Sequence, residues 1–345
     1  MPYPAVTAAK TAADMAVDLD AAMRRPTRRH AIVALGLVVA ALPASTHAAG
    51  YPARTVEIVV PYGAGGSTDF VARIIAQRLS ERLGQPFVVV NKPGASGTIG
   101  LMSVMRAPPD GYTLLFGFTT EMVVMPQISQ TARYAIADFT PIAVTGDVPV
   151  VMIGAQRLQS TTLPDLLAEI RRAPGKLTYG GGHGSPSHIS GAWMNRIAGL
   201  DVVHVPYRGG AQAVGDVIGG HIDMFYGGLA AAKGAIDAGA VKAFAQTGAT
   251  RSTALPDVPT FAEAGLPDFD VGSWTMLLAP KGTPADVVAQ LKAEVTAALE
   301  TPQVIELLKR EGVEPARADD PVKFLADEEQ KFQRLVRESG VSADN

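Results

Sequence analysis

Short apolar runs that end in glycine-rich loops recur along this chain, and this pattern restricts the fold more than any other feature of the sequence. The loops are residues 63–66, 180–184 and 209–210. Each follows a stretch rich in β-branched residues and precedes a stretch with helical spacing of apolar residues. Strands and helices that alternate in this way form βα units around a mostly parallel sheet. We therefore expect an α/β protein whose ligand binds at the carboxyl ends of the strands.

The first of these loops lies in the sequence VEIVVPYGAGGSTDF, residues 56–70, which predicts a buried strand, a tight loop and the start of a helix. Pro61 ends the strand, and the glycines that follow allow a tight turn with exposed N–H groups. Ser67 or Thr68 is expected to cap the helix, and Asp69 suits its positive N-terminal end. Such a helix start is a site for a small anion. A carboxylate held by backbone amides is the leading interpretation of this loop.

A nucleotide site fits the first loop poorly. The phosphate-loop pattern requires Gly-Lys-Ser/Thr, and no lysine follows Gly66. The dinucleotide pattern requires a third glycine at the position of Thr68. A tight turn without a ligand stays open as the alternative to a carboxylate site.

Polar residues that could contact a ligand cluster in the second and third loops. Ser185, followed by Pro186, is predicted to open a helix. Ser185 and Ser187 are expected to serve in capping and in hydrogen bonds to a ligand, because the Gly-x-Ser-x-Gly elbow of a nucleophilic serine is absent. Arg208 beside Tyr207 is either a guanidinium that clamps a carboxylate or a solvated loop arginine.

The histidines of this chain do not form a recognisable metal motif. His183 and His188 are five residues apart, without a His-x-x-x-His pattern or a cysteine partner, and the chain has no cysteine. His188 is expected to pack or to hydrogen-bond locally, and His204 to lie in the core or at the edge of a strand. The sequence therefore predicts neither a metal nor a cofactor.

The N-terminal part of the 345-residue chain has the pattern of an export signal. Arginines at 24–29 precede the apolar run 31–42, which is too short to cross the bilayer as a helix. Thr46-His47-Ala48 resembles a signal-peptide cleavage site. Because Met23 is a more plausible start, residues 1–48 are predicted to be an upstream extension plus a cleaved signal peptide. The mature protein is then periplasmic, with Sec and Tat export both left open.

The charge of the chain excludes one class of partner. The formal net charge is −3, and no run of basic residues is present in the predicted mature part. Nucleic-acid binding is therefore not expected.

Seven blocks of the sequence resemble the Bug (TctC-like) periplasmic solute-binding receptors of tripartite tricarboxylate transporters. In order they are VPYGAGGSTD at 60–69, NKPGASGTIG at 91–100, PPDGYTLLFG at 108–117, PGKLTYGGGHGSPSH at 174–188, VHVPYRGGAQA at 203–213, LPDVPTFAEAGLP at 255–267 and SWTMLLAPKGTP at 273–284. The resemblance implies a two-lobed periplasmic-binding-protein fold, of the Venus-flytrap type II-like class, that closes around a small carboxylate. Lobe 1 is expected at 50–150 and 273–345, and lobe 2 at 151–272.

The resemblance also implies which residues contact the ligand. In this family two loops of lobe 1 bind one carboxylate through backbone amides, hydroxyls and bridging waters; here the matching residues are Tyr62, Ala64, Gly65, Gly66, Ser67, Thr68, Asp69, Thr119 and Thr120. Loops of lobe 2 contact the rest of the ligand, with His183, Ser185, Ser187, His188, Tyr207, Arg208, Gly209 and Gly227. Gly227-Gly228 stand where relatives often carry Asp-Asn. Without that acidic side chain an amino-acid ligand is less favoured, and a bulkier acid fits.

The implied function is a monomeric extracytoplasmic binding protein, not an enzyme. It captures a small organic acid and delivers it to the membrane permease subunits of a tripartite tricarboxylate transporter. Two alternatives remain at this point: a ligand sensor for a signalling partner, and a serine-dependent hydrolase that uses Ser185.

Overall fold

A computed structural model of the chain describes residues 50–207, 209–316 and 318–342. The predicted export segment and Arg208 lie outside the described residues. The strands are β1 Val56–Val60, β2 Phe87–Asn91, β3 Thr113–Phe118, β4 Phe139–Val148, β5 Val150–Ala155, β6 Thr178–Gly181, β7 Val203–Pro206, β8 Met224–Gly228, β9 Val241–Gln246 and β10 Ser273–Pro280.

The helices alternate with these strands through most of the chain. They are α1 Ser67–Leu83, α2 Thr98–Met105, α3 Met125–Ile128, α4 Leu163–Arg172, α5 Pro186–Ala198, α6 Gly210–Ile218, α7 Leu229–Asp237, α8 Ala285–Leu299, α9 Pro302–Arg310 and α10 Pro321–Ser339. A 3₁₀ turn at Ala95–Gly97 precedes α2, and a π-helical turn at Thr120–Val124 precedes α3. In the described part of the chain no helix is both long and apolar enough to cross a bilayer.

The strands form two five-stranded sheets, one in each lobe. The first sheet has the order β2-β1-β3-β10-β4 and the second the order β7-β6-β8-β5-β9. We call the first sheet with its helices lobe 1 and the second with its helices lobe 2. The chain leaves the first sheet at Pro149, between β4 and β5, and re-enters it through β10.

In each sheet four of the five strands run in the same direction, as the sequence predicts, and one strand runs against them. In the first sheet β1 pairs in parallel with β2 and β3, but β10 is antiparallel to β3 and β4. In the second sheet β6 is parallel to β7 and β8, but β5 is antiparallel to β8 and β9. The two antiparallel strands, β5 and β10, are the strands with which the chain enters each sheet from the other lobe. Each begins beside the carboxyl end of a neighbouring strand and runs away from it, as the pairs Val150–Gly228 and Thr275–Phe118 show.

Helix boundaries follow the capping signals of the sequence in several places. Thr162 caps α4 by accepting a 3.3 Å hydrogen bond from the Asp165 amide. Ser185 caps α5, with Pro186 at its first position, as predicted. Gly84 ends α1 in the left-handed conformation, with φ of 68°. By contrast, α7 and β9 occupy an alanine- and glycine-rich stretch in which the pattern predicts no element.

The last helix joins the cores of the two lobes. Phe332 and Leu335 of α10 belong to the same buried apolar cluster as Ile189 and Trp193 of α5. Helices α5 and α10 pack against each other directly. The C-terminal helix therefore holds the second-lobe helix whose N-terminus lies at the candidate site.

Candidate functional site

Two adjoining cavities lie between the lobes, and we call them together the cleft. Their volumes are about 250 Å³ and about 780 Å³. Among the described residues, six line both cavities: Tyr62, Phe118, Ser185, Ser187, Gly210 and Phe225. Since Tyr62 and Phe118 belong to lobe 1 and the other four to lobe 2, a ligand in the cleft touches both lobes.

Three helices begin at the smaller cavity of the cleft. Gly66 precedes α1, Ser185 precedes α5, and Gly210 is the first residue of α6; all three line this cavity. Neither α1 nor α6 has a side-chain cap, because each follows a glycine. The first amides of a helix have no acceptor within the helix and carry partial positive charge. Uncapped amide donors from both lobes therefore converge on one small volume, which favours an anion.

The cap of α1 differs from the sequence-based expectation. Gly66 is the N-cap residue, and its side chain cannot accept a hydrogen bond, whereas Ser67 and Thr68 form the first turn and line the cleft. Gly65 has φ of 87°, a conformation that favours glycine. The loop thus leaves the helix amides free for a ligand instead of closing them with a serine or threonine cap.

Asp69 shapes this loop and does not line the cleft. Its Oδ2 atom accepts hydrogen bonds of 2.9 Å from the Gly65 amide and from Arg73 Nε. Its Oδ1 atom accepts bonds of 2.9 Å from Arg73 Nη2 and from Asn91 Nδ2, and Asn91 also donates to the Tyr62 carbonyl. Burial alone raises the pKa of Asp69, but the hydrogen bonds from Arg73, Gly65 and Asn91 outweigh it and lower that pKa. We conclude that the carboxylate of Asp69 positions the loop.

The second loop of lobe 1 contributes one of the two predicted threonines to the cleft. Thr120 lines the larger cavity. Thr119 is fully buried, and its Oγ1 atom accepts a 2.9 Å hydrogen bond from the Trp274 amide. Thr119 therefore joins the end of β3 to β10. Trp274 lines a third cavity of about 200 Å³ beside Asp147, which shares two lining residues with the smaller cavity of the cleft.

Glu121 ties this loop to the first one. Its buried carboxylate accepts a 2.5 Å hydrogen bond from the Tyr62 hydroxyl and a 2.6 Å bond from the Phe118 amide. Burial raises the pKa of Glu121 to about 8, although these two hydrogen bonds act in the opposite direction. No pattern in the sequence marks this residue, because a glutamate in a short turn is normally exposed.

In lobe 2 two serines and a histidine lie in the loop between β6 and α5 and in the first turn of α5. Ser185, Ser187 and His183 line the cleft. His188 is buried behind them: its Nδ1 atom accepts a 3.3 Å hydrogen bond from the Gly184 amide, and its ring stacks on His204 with 3.8 Å between centroids. Burial, and then the neighbouring histidines, lower the pKa of His188 to about 3. His188 is therefore a neutral support for the loop.

The third loop contributes a ring and backbone rather than a free hydroxyl. Tyr207 lines the larger cavity, but its hydroxyl donates a 2.6 Å hydrogen bond to Asp216, and burial with this bond raises the pKa of Tyr207 to about 12. Gly209 lines the same cavity. Gly227 lines the smaller cavity, where a Cβ atom at that position would lie 2.0 Å from Phe225 Cζ. The Phe225 ring thus fills the space that a side chain at 227 would need.

Eleven of the predicted site residues line the cleft, and they come from both lobes: Tyr62, Gly66, Ser67, Thr68, Thr120, His183, Ser185, Ser187, Tyr207, Gly209 and Gly227. Five others lie outside the lining: Ala64, Gly65, Asp69, Thr119 and His188. Arg208 is not described. Across residues 50–207, 209–316 and 318–342, no group of three or more His, Cys, Asp or Glu side chains is placed to hold a metal ion.

The cleft also contains residues that the sequence patterns did not single out. Among them are Phe118, Phe225, Val148, Val150 and the turn 93–97. The turn follows β2, which lies beside β1 in the sheet, so its place at the carboxyl edge could have been inferred from strand order. Phe118 and Phe225 carry no such signal, since an aromatic residue in a strand is usually part of the core.

Comparison with known proteins places this chain in a family. The sequence model of the tripartite tricarboxylate transporter family receptor, TctC, matches residues 71–341. Protein BugT of Bordetella pertussis is 34% identical over 322 residues, which cover 91% of this chain and 98% of BugT.

Two solved structures share both the fold and much of the sequence. An R. palustris protein solved with adipate is 34% identical, covers 85% of this chain and 99% of its own, and superposes with a TM-score of 0.78. MatC from Rhodopseudomonas palustris, with bound malate, is 33% identical, covers 83% of this chain and 100% of its own, and has a TM-score of 0.74. These likenesses confirm the two-lobed fold and the family indicated by the sequence motifs. The chain belongs to the TctC family of periplasmic solute-binding receptors.

Proposed function

We propose that this protein captures a small organic carboxylate in the cleft and delivers it to the permease subunits of a tripartite tricarboxylate transporter. The observation that carries the proposal is the convergence of three helix N-termini, from both lobes, on the smaller cavity. Relatives solved with adipate and with malate support a carboxylate ligand. The family's description as a transporter receptor supports the partner.

In this proposal the first loop holds the carboxylate. The amides at the start of α1 and the hydroxyls of Ser67, Thr68 and Thr120 are the donors from lobe 1. Hydrogen bonds to a charged group contribute about 1.5–3 kcal/mol each. Since the amides carry no competing side-chain cap, the anion meets donors that are already oriented.

Lobe 2 completes the site when the lobes close. Ser185 and Ser187 reach the same cavities, together with the backbone at Gly209 and Gly210. A ligand bound to lobe 1 alone lacks these partners, so binding favours the closed arrangement. We propose lobe boundaries of 50–150 with 273–345, and 151–272, for a monomeric periplasmic protein.

The geometry around Ser185 supports binding rather than catalysis. The Ser185 hydroxyl accepts a 3.4 Å hydrogen bond from the His188 amide as the cap of α5. The Nδ1 atom of His188 accepts from Gly184 and is engaged in that bond. A serine nucleophile needs a base within hydrogen-bond reach of its hydroxyl, and the His188 contact with Ser185 is made by the backbone.

A thermal-shift screen tests the proposal. The mature protein is heated with a set of carboxylates and with the uncharged amide of each. A ligand present at a hundred times its Kd raises the free energy of unfolding by about 2.7 kcal/mol. We expect some carboxylates to raise the melting temperature and their amides to have no effect. Equal shifts by an acid and its amide would refute recognition of the carboxylate.

The partner needs a separate test. Uptake of the carboxylate that gives the largest thermal shift is measured in cells that express the permease subunits with and without this receptor. The proposal requires uptake that depends both on the permease subunits and on this receptor. Uptake that is the same without the receptor would remove the transport role.

A further inference from the structure

Both tyrosines that line the cleft use their hydroxyl groups outside it. Tyr62 donates its proton to Glu121 at 2.5 Å, and Tyr207 donates its proton to Asp216 at 2.6 Å. A phenol has a single donor proton, and a carboxylate is a strong acceptor for it. The surface that these residues present to a ligand is therefore mainly the aromatic ring.

Aromatic rings also form the junction between the two cavities. Tyr62, Phe118 and Phe225 line both, and the rings of Tyr62 and Phe118 meet edge to face with centroids 5.9 Å apart. Phe225 is held against two glycines, because a Cβ atom would lie 3.2 Å from its ring at Gly210 and 2.0 Å from it at Gly227. The glycines let the ring lie against the backbone at the edge of the cleft.

The anion-binding groups and the rings occupy different parts of the cleft. The starts of α1, α5 and α6 all line the smaller cavity, which favours a carboxylate there. The larger cavity continues from the aromatic junction and is also lined by the ring of Tyr207. Among the described residues that line either cavity, none is an aspartate, a glutamate, a lysine or an arginine.

We propose that the preferred ligand is a monocarboxylate with an uncharged aromatic body. This inference rests on the proposed function and specifies its ligand. The carboxylate lies in the smaller cavity against the helix N-termini, and the ring extends across the junction between Phe118 and Phe225. Offset and edge-to-face contacts suit a flat ring between aromatic walls. A second carboxylate in the larger cavity would lose water without meeting a lysine or an arginine among the described residues, which disfavours a diacid.

Titration calorimetry on the mature protein with four matched probes tests this inference. Benzoate supplies the charge and the ring, benzamide only the ring, terephthalate the same ring with a second carboxylate, and adipate two carboxylates on a flexible chain. We expect benzoate to bind more than about tenfold tighter than each of the other three.

A substitution at Phe118 tests where the aromatic ring of the ligand binds. Phe118→Leu keeps an apolar side chain but removes an aromatic wall, and we expect it to weaken benzoate binding about fivefold or more. Phe324→Leu is the matched control, because Phe324 lines the third cavity, beside Asp147, and lines neither cavity of the cleft. Melting curves of both variants show whether the fold is retained. An equal effect of both variants on benzoate affinity would contradict the placement of the ring.

The outcomes separate this inference from the proposed function. Tighter binding of adipate or terephthalate than of benzoate overturns the inference and leaves carboxylate capture intact. If Arg208→Ala then removes that preference, a second anion site at Arg208 takes the place of the aromatic one. Equal affinity for benzoate and benzamide contradicts carboxylate recognition itself, and with it the proposed function.

Discussion

The hydroxyl of Tyr62 donates a 2.5 Å hydrogen bond to the carboxylate of Glu121 and so joins the two loops of lobe 1 that face the cleft. The same carboxylate accepts the Phe118 amide at 2.6 Å, which fixes the end of β3. Glu121 is fully buried, and its pKa of about 8 means that its protonation changes near neutral pH. The shape of the binding loops is therefore linked to the charge of a residue that does not line the cleft.

This link predicts a specific pH dependence of stability. The pKa of Glu121 is raised from 4.5 in the unfolded chain to about 8 in the fold, so the folded state binds the extra proton between these values. The contribution of the protonated Glu121 to the stability of the fold is fully present below pH 4.5 and is lost as the pH rises through 8. Glu121→Gln stays neutral throughout, so its melting temperature should rise relative to wild type as the pH increases from 5 to 8.5 (roughly the range of this titration).

Glu306→Gln is the control for this measurement, because the Glu306 carboxylate is 67% exposed. Its melting temperature should run parallel to that of wild type over the same range. If the Glu121→Gln curve also runs parallel to wild type, Glu121 does not change protonation in the way that its burial implies.

A buried hydroxyl in α5 offers a test of packing near the cleft. Ser190 is fully buried, and its Oγ atom has no hydrogen-bond partner among the described residues. An unsatisfied buried polar group is costly, and alanine is the better helix former, so Ser190→Ala should raise the free energy of unfolding by about 1 kcal/mol. Urea denaturation measures the change.

The matched control is Ser80→Ala in α1. The Ser80 hydroxyl donates to the Ala76 carbonyl at 2.7 Å and accepts from the Phe87 amide at 2.8 Å. Its removal should lower the free energy of unfolding by about 1 kcal/mol. A loss of stability in Ser190→Ala like that in Ser80→Ala would show that the Ser190 hydroxyl is satisfied in solution.

The turn at the edge of the larger cavity stores backbone strain. Gly94, Ala95, Ser96 and Gly97 have φ of 136°, 46°, 52° and 93°, so two residues with a Cβ atom lie in the left-handed region. Such residues cost of order 1 kcal/mol each, and Ser96→Gly should therefore stabilise the fold or leave it unchanged. The same change at Ser103, inside α2, should destabilise by about 0.5–1 kcal/mol. Chemical denaturation measures the free energy of unfolding of both variants. Equal losses of stability would show that Ser96 is not strained.

The Asp69 network predicts an indirect effect on ligand affinity. Arg73 donates twice to Asp69 but does not line the cleft. Arg73→Ala should loosen the first loop and weaken benzoate binding roughly three- to tenfold. Arg78→Ala, on the same helix, removes an ion pair with Glu81 and should leave affinity within about twofold. Calorimetry that finds no difference between the two variants would show that the network does not support the loop.

Local signals in the sequence were sufficient for the first half of several βα units. The strand at Val56–Val60, the stop at Gly84 and the capped starts of α4 and α5 all follow from short-range chemistry, and the structure contains each of them. The orientation of β5 and β10 does not follow from short-range chemistry, because it depends on which edge of the other sheet the chain reaches after it crosses between the lobes. Long-range arrangement of this kind leaves no trace in the local pattern.

In the candidate site, too, some features follow from local sequence signals and others do not. The loops at Gly66 and Ser185 could be identified because glycine runs before helices mark anion sites. Asp69, however, faces Arg73 and Asn91, and a motif cannot show which way a carboxylate turns. The cleft aromatic Phe225 has only 2% of its surface exposed and is indistinguishable in sequence from a core residue.

Gly66 offers the most direct test of ligand capture at the start of α1. Its φ is −82°, which any residue can adopt, and a Cβ atom there would meet no atom closer than 4.0 Å. A larger side chain at 66 is therefore expected to fill the cavity rather than to displace the loop by a clash. Gly234→Leu in α7 is the control, because a Cβ atom there meets nothing within 4 Å and the residue does not line the cleft.

The decisive measurement is titration calorimetry of wild type, Gly66→Leu and Gly234→Leu with the carboxylate that gives the largest thermal shift. We expect Gly66→Leu to lose more than about tenfold in affinity and Gly234→Leu to bind like wild type. Both variants should melt as cooperatively as wild type. Wild-type affinity in Gly66→Leu would contradict the placement of the ligand at the start of α1.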